Sequence, residues 1–194
     1  MWLIAGLGNP GASYAQQRHN AGFMVIDALA RAYDAPPMKS AHHALCSKVT
    51  IADMPCMLVK PQTFMNLSGQ AMLGIATFYK IAPEKILVIH DDLDLKLGQL
   101  RMKIGGGHGG HNGLRDMDAR MGKDYWRLRI GIGHPRDSNT PQMEVSDFVL
   151  QNFSADEQRV IDNVTDEIAR HMALFFTHSP VGFMSKLAER LRAD

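Results

Sequence analysis

The chain has 194 residues, 45% of them apolar, which is enough for one well-buried core and short for two, so a single domain over residues 1–194 is expected. A charged fraction of 21% and a formal net charge of +1 exclude a globally basic nucleic-acid binder, so any contact with phosphates must come from a local cluster. Only Cys46 and Cys56 are present, no charged leader precedes a long apolar stretch, and no segment nears the roughly 20 apolar residues of a bilayer span. A soluble cytoplasmic protein with free thiols and no membrane contact is the expectation.

Strands and helices alternate along the chain. Trp2 to Ala5 is a short apolar run ending in Gly6, the pattern of a buried strand. Asn20 is placed to cap a helix whose apolar positions Phe23, Ile26, Leu29 and Tyr33 share one face, and Pro36 and Pro37 are expected to stop it. A hairpin is predicted from about Leu45 to Val59, turning at Ala52 to Pro55, followed by a helix from near Leu67 to Tyr79. Ile86 to Ile89 reads as a strand buried on both faces that releases the polar sequence HDDLD at its end, where open α/β sheets tend to place their sites.

Leu100, Met102 and Ile104 then alternate with Gln99, Arg101 and Lys103, giving a strand with one apolar and one basic face. Trp126, Leu128, Ile130 and Ile132 repeat the pattern, with Arg127 and Arg129 opposite. Gly133 to Gln151 carries turn formers and little periodicity, and is expected to be a long surface loop. Ser154 and Glu157 form a capping box opening a helix that continues toward His178, and a last amphipathic helix is predicted from about Val181 to Arg192. The alternation points to an α/β chain.

The segment from His90 to Leu114 concentrates three carboxylates, three histidines and an asparagine around a loop with six glycines, Gly105, Gly106, Gly107, Gly109, Gly110 and Gly113. Glycine permits positive φ and leaves room for a ligand, so the density favours an active site over a merely flexible loop. Gly6, Gly8 and Gly11 match GxGxxG, but Pro10 interrupts the pattern and Asp27 falls within a helical period instead of at a second strand end, so a dinucleotide site is rejected. There is no GxSxG, and neither cysteine has a setting that would activate it, which leaves water as the attacking group. His19 gains meaning if folding brings Asp91 to it, because a carboxylate bound to one imidazole nitrogen leaves the other as a base.

Asn9, Asn66 and Asn112 each sit beside a turn or helix start where they could place water or a polarised carbonyl, or serve only as caps. His108 and His111 also permit a metal reading completed by Asp91, Asp92 or His19, although HxxH in a glycine loop lacks the helical face of known zinc motifs. Arg101, Lys103, Arg127 and Arg129 could hold a phosphate or form a solvated face, and Phe64 and Met65 could line a pocket or pack in a core.

The blocks GLGNPGASYAQQRHNAGF, KPQTFMNLSGQAM, HDDLDLKLGQLRMKIGGGHGGHNGL and WRLRIGIGHP, in this order, resemble the bacterial peptidyl-tRNA hydrolase family over most of the chain. The resemblance implies a single-domain three-layer α/β sandwich with a twisted mixed sheet flanked by helices. It also implies a monomeric enzyme without metal or other cofactor that cleaves the ester joining a peptide to the 3′ end of tRNA. On matching positions it makes His19 the catalytic base, Asp91 its orienting partner and Asn9 a group that helps place water or substrate. It has Asn66 and Asn112 hold the peptidyl end, Phe64, Met65 and His111 line the cleft, Tyr14 support its floor, and Arg101, Lys103 and Arg129 meet the tRNA, at its 5′ phosphate. Gln17 departs from the threonine common at its position and Gln62 from the threonine some members have, which puts local hydrogen bonding around His19 and the Phe64 turn in doubt, and the loop from Arg136 to Ser146 matches least well.

Overall fold

The apolar runs gather into one mixed sheet. In a computed structural model, which describes residues 1–193 and leaves the expected domain's last residue, Asp194, outside the described residues, the strands are β1 Trp2–Gly6, β2 Lys39–Ala41, β3 Ala44–Ile51, β4 Met54–Pro61, β5 Ile86–Asp92, β6 Leu100–Ile104 and β7 Trp126–Gly131. Their order is β2-β3-β4-β1-β5-β7-β6. β1 pairs in parallel with β4 and β5, and β5 with β7, while β2, β3 and β4 at one margin and β6 and β7 at the other pair antiparallel. The helices are α1 Ala21–Ala32, α2 Ser68–Phe78, α3 Asn112–Met121, α4 Val145–Val149, α5 Ala155–His171, α6 Ala173–Thr177 and α7 Pro180–Ala193.

Two apolar layers hold the sheet between helices. On one face Ile4, Leu87, Ile89 and Leu128 pack with Ile26 and Leu29 of α1, Ile161 and Ile168 of α5, and Phe183 of α7. On the other, Leu3, Ala5, Ile86 and Val88 pack with Met72 and Ile75 of α2 and Leu114 and Met117 of α3. β1 and β5 are thus buried on both sides, which is why they read as unbroken aliphatic runs. The result is the three-layer α/β sandwich expected. No helix among the described residues is long and apolar enough to cross a membrane.

Several local expectations are corrected. Asn20 occupies the N-cap position of α1, but its side chain makes no cap bond and is used elsewhere. α1 ends at Ala32, before either proline: Asp34 takes φ 47°, and the Ala35 N–H reaches the Ala30 carbonyl while that of Asp34 reaches Arg31, a Schellman closure with Asp in the left-handed position. The hairpin forms as predicted, with Ala52 and Asp53 at φ 50° and 61°, the positive values a two-residue turn between twisted strands requires. A short edge strand, β2, precedes it.

The stretch from Gly133 to Gln151 is not loop throughout, because α4 forms within it and buries Phe148 and Val149. The capping box at Ser154 is present in both directions, but the helix it opens stops at His171, and α6 follows as a separate element. Gly22, in the first turn of α1, explains how that helix approaches the sheet. A Cβ there would lie 2.4 Å from the Ile89 carbonyl oxygen and 2.5 Å from the Leu7 amide nitrogen. Only glycine lets the turn before α1 rest on the carboxyl ends of β1 and β5.

Candidate active site

That close approach brings together two residues 72 positions apart. A 3-10 turn over Arg18–Asn20 carries His19, and β5 presents Asp91 near its end. Both are buried, at 7% and 3% exposure, and His19 Nδ1 lies 3.0 and 2.9 Å from the two Asp91 carboxylate oxygens. The Nδ1–H therefore donates, and Nε2, which makes no hydrogen bond among the described residues, carries the lone pair. Burial draws the His19 pKa down, but the charge of Asp91 and its hydrogen bond outweigh burial and leave it raised above 6.5. Burial pushes Asp91 up, yet the two imidazoles His19 and His111 hold it well below the ordinary carboxylate value.

His111 has a fixed tautomer. It is the N-cap of α3, where Nδ1 accepts from the Gly113 and Leu114 N–H groups at 3.2 and 3.4 Å, so the ring proton sits on Nε2 and is donated to Asp91 Oδ1 at 2.9 Å. Asp91 is held from two sides, and the first-turn N–H groups of α3 are taken up by His111, which fixes the ring that donates to it. His90, next in the strand, donates from Nδ1 to the Asp91 carbonyl at 2.7 Å. Burial, then the neighbouring His111, pushes its pKa down to about 3, so it is an uncharged structural group.

A cleft of about 440 Å³ opens on this group, lined by His19, Asp91, His111, Asn112, Lys103 and Arg129 together with the glycine loop. Within the loop Gly109 and Gly110 take φ 59° and 81°, a path closed to most side chains. A larger hollow of about 920 Å³ lies between β6 and α7, but Leu100, Met102, Trp126, Met184 and Leu187 make it apolar and it holds no acid–base pair.

The asparagines divide. Asn9 N–H donates to Asn20 Oδ1 and Asn20 Nδ2 donates to the Asn9 carbonyl, both at 2.9 Å, while Asn9 Oδ1 accepts from the Met65 N–H at 2.8 Å. Asn9 is thereby fixed between the turn that carries His19 and the one that carries Asn66. Asn66 and Asn112 are exposed, and Asn112 also accepts from Arg115. Phe64 is 57% exposed with Tyr14 edge-on to its ring at 6.3 Å, and Met65 is buried against the start of α3 at Gly113. Met65 thus touches the start of α3 and Asn9, whereas Asn9, Tyr14, Phe64, Met65 and Asn66 are not among the residues lining the cleft of about 440 Å³.

The four strand cations have different fates. Arg127 is fully buried, paired with Asp118 at 2.7 Å and bonded to the Gly107 carbonyl, so it braces the glycine loop from below. Arg129 is partly exposed and bonded to Asp92 at 2.7 Å. Arg101 stands opposite Arg129 and Lys103 opposite Arg127 across the β6/β7 ladder, like-charge neighbours that destabilise a sheet unless compensated. Burial, then the charges of Arg129 and Arg127, lower the Lys103 pKa. Neither Arg101 nor Lys103 has an ion-pair partner among the described residues.

His19, Asp91 and His111 offer one ligand atom each within 4.8 Å of one another, so these three could hold a metal ion. His108 is outside that group, its Nδ1 accepting from Gly110. Both thiols are free, and burial pushes Cys46 up to about 11 and Cys56 up to about 12, far from nucleophilic thiolates. Sequence reasoning missed Asn20 as the partner of Asn9 and missed Arg18, which is buried beside His19 and bonded to Glu157. Partners 11 and 139 residues away leave no periodic signal.

The model of the family described as peptidyl-tRNA hydrolase matches residues 3–193. A peptidyl-tRNA hydrolase of Rhodospirillum centenum is 46% identical over 97% of this chain and 81% of its own length, and one of Anaplasma phagocytophilum is 44% identical over 96% and 98%. The crystal structure of peptidyl-tRNA hydrolase from Acinetobacter baumannii superimposes with a TM-score of 0.87 at 42% identity, covering 96% of this chain and 94% of that one. A family model matched over nearly the whole chain, identities of 42%, 44% and 46% at near-full coverage of it and this superposition together make the chain an enzyme of the peptidyl-tRNA hydrolase family.

Proposed function

We propose that the chain hydrolyses the ester between a peptide and the 3′ end of tRNA, using water activated by His19 and no metal. The observation that carries this reading is the buried His19 Nδ1 to Asp91 contact of 2.9 Å, which leaves Nε2 as the basic atom at the cleft. Nε2 removes a proton from water as the water oxygen bonds to the ester carbonyl carbon. The imidazolium, steadied by Asp91, then returns that proton to the departing ribose oxygen as its bond to carbon breaks, releasing peptide and tRNA. The Asn112 amide and the backbone N–H groups of the glycine loop, which line the same cleft, would stabilise negative charge developing on the carbonyl oxygen.

Asn9 helps place water or substrate through its fixed amide, and Asn66 with Asn112 holds the peptidyl end. Phe64, Met65 and Tyr14 supply the apolar rim and floor beside it, and His111 keeps Asp91 aligned. Arg101 and Lys103, short of anionic partners, together with Arg129 contact the tRNA phosphate. Both nitrogens that face Asp91 carry protons, so hydrogen bonds account for the cluster without an ion. The chain is read as a monomer working in the cytoplasm, where peptidyl-tRNA arises.

One assay tests the reading: cleavage of peptidyl-tRNA by the wild type and by His19→Ala, each with and without a chelator. Undiminished turnover by the wild type in chelator and a loss of about 10³-fold in the variant are expected. Activity lost on chelation and restored by a divalent ion would establish a metal-dependent esterase, and tRNA binding without cleavage a noncatalytic module.

A further inference from the structure

The turn that carries His19 is anchored on both sides of it. In a 3-10 turn three residues complete a revolution, so Arg18, His19 and Asn20 point in three directions. Here Asn20 grips Asn9, His19 meets Asp91, and Arg18 reaches across 139 residues to the first turn of α5. Arg18 donates to both carboxylate oxygens of Glu157, at 3.1 and 2.8 Å, and its guanidinium lies 4.4 Å from the Phe148 ring centre and 5.1 Å from that of Phe153. The side chain is buried, and planar forked pairing stacked on aromatic rings is geometry that lysine cannot reproduce.

The far end of this contact is also fixed. Glu157 is the N3 residue of the α5 capping box, with Oε2 accepting from the Ser154 N–H at 2.8 Å and the Ser154 hydroxyl accepting from the Glu157 N–H. The backbones run together as well: the Arg18 N–H donates to the Gln151 carbonyl at 2.9 Å, and Gln17 and Asn152 form an antiparallel bridge. The helix terminus therefore orients the carboxylate, the carboxylate orients Arg18, and Arg18 is joined through one peptide to the imidazole.

We propose that Arg18, held by Glu157 and by Phe148 and Phe153, is a positioning residue for the reaction, setting the His19 imidazole on Asp91. This rests on His19 being the base. A purely structural tie would affect stability and leave the acid–base behaviour of His19 alone, whereas a positioning tie governs how well Asp91 opposes burial at that imidazole.

The test is the double variant Arg18→Met with Glu157→Gln. It removes one charge of each sign, so no net charge is introduced near His19, and glutamine still serves at N3 of a capping box. Turnover of peptidyl-tRNA is measured together with the His19 titration followed by NMR of its ring nitrogens. We expect kcat to fall about tenfold with KM within about twofold, and the His19 midpoint to drop by about 0.5 pH as the bond to Asp91 loosens. Arg18→Lys, which keeps the charge and loses the fork, is expected to lower kcat about threefold and carries the same test if the double variant does not fold. Wild-type kcat with an unmoved His19 midpoint in the folded variant overturns the proposal, whatever happens to the melting temperature. Failure of the underlying reading is seen separately, as undiminished activity in His19→Ala.

Discussion

The two ends of the cleft are built on opposite principles. At one end His19 and Asp91 are buried and His111 partly so, and Asp91 ties the two rings, with both ring tautomers set by hydrogen bonds. At the other, Lys103 and Arg129 line the cleft while Arg101, on the same strand as Lys103, faces the neighbouring hollow beside α7. These two β6 cations stand opposite Arg127 and Arg129, and only the β7 pair is neutralised, by Asp118 and Asp92. A group that moves protons gains from having every alternative contact removed, because its basicity then depends on a single partner. A group that binds a polyanion gains from being left short of anions. Changes at the first end should therefore act on kcat, and changes at the second on KM and its salt dependence.

The strongest way to break this contrast is His19→Ala, for which a loss of about 10³-fold in kcat with an unchanged melting profile is expected, in the range of general-base removal. Steady-state turnover of peptidyl-tRNA measures it, and a loss expressed only in KM would merge the two ends. Asp91→Asn should cost about 10²-fold, since the amide can present the wrong polarity to Nδ1 and favour the wrong tautomer. Arg101→Ala and Lys103→Ala should leave kcat near wild type, raise KM several-fold, and each reduce the slope of log KM against log salt by about one. Unchanged slopes in both would return those residues to solvated surface.

The smallest expected effect is on stability. Because the folded His19 pKa is raised, its contribution is complete below the unfolded value of about 6.5 and is lost as pH rises through the folded value. Asp91 acts in the opposite sense, contributing above the unfolded value of about 3.9 and failing as pH falls through its depressed one. Melting temperatures between pH 6 and 9 should thus decline slightly for the wild type through this group, and less for His19→Gln. Equal slopes would show that the pair is not coupled to folding.

Much of this was legible from residues. β1 and β5 announce themselves because burial on both faces leaves no polar position to interrupt the run, and the acids at the end of β5 mark where the sheet releases its site. The meeting of His19 with Asp91 was anticipated through the blocks shared with the family, but its cause, the bare Gly22 beneath the turn, acts through backbone contact and has no pattern to read. α4 escaped because five residues with two buried side chains do not establish a helical period. The break between α5 and α6 escaped for the converse reason: Ile168, Met172 and Phe175 keep the apolar spacing across it. β2 has three residues and no alternation. Arg18 reads as a surface cation from its type, and only the distant Glu157 makes it an interior one.

The central claim is that Asp91 governs the basicity of His19, and the pH dependence of kcat/KM on peptidyl-tRNA in wild type and Asp91→Asn tests it most directly. The wild-type rate should fall on acidification through a midpoint above 6.5, and in Asp91→Asn the midpoint should move below it, because burial then acts on the imidazole unopposed. The same midpoint in both enzymes would contradict the account.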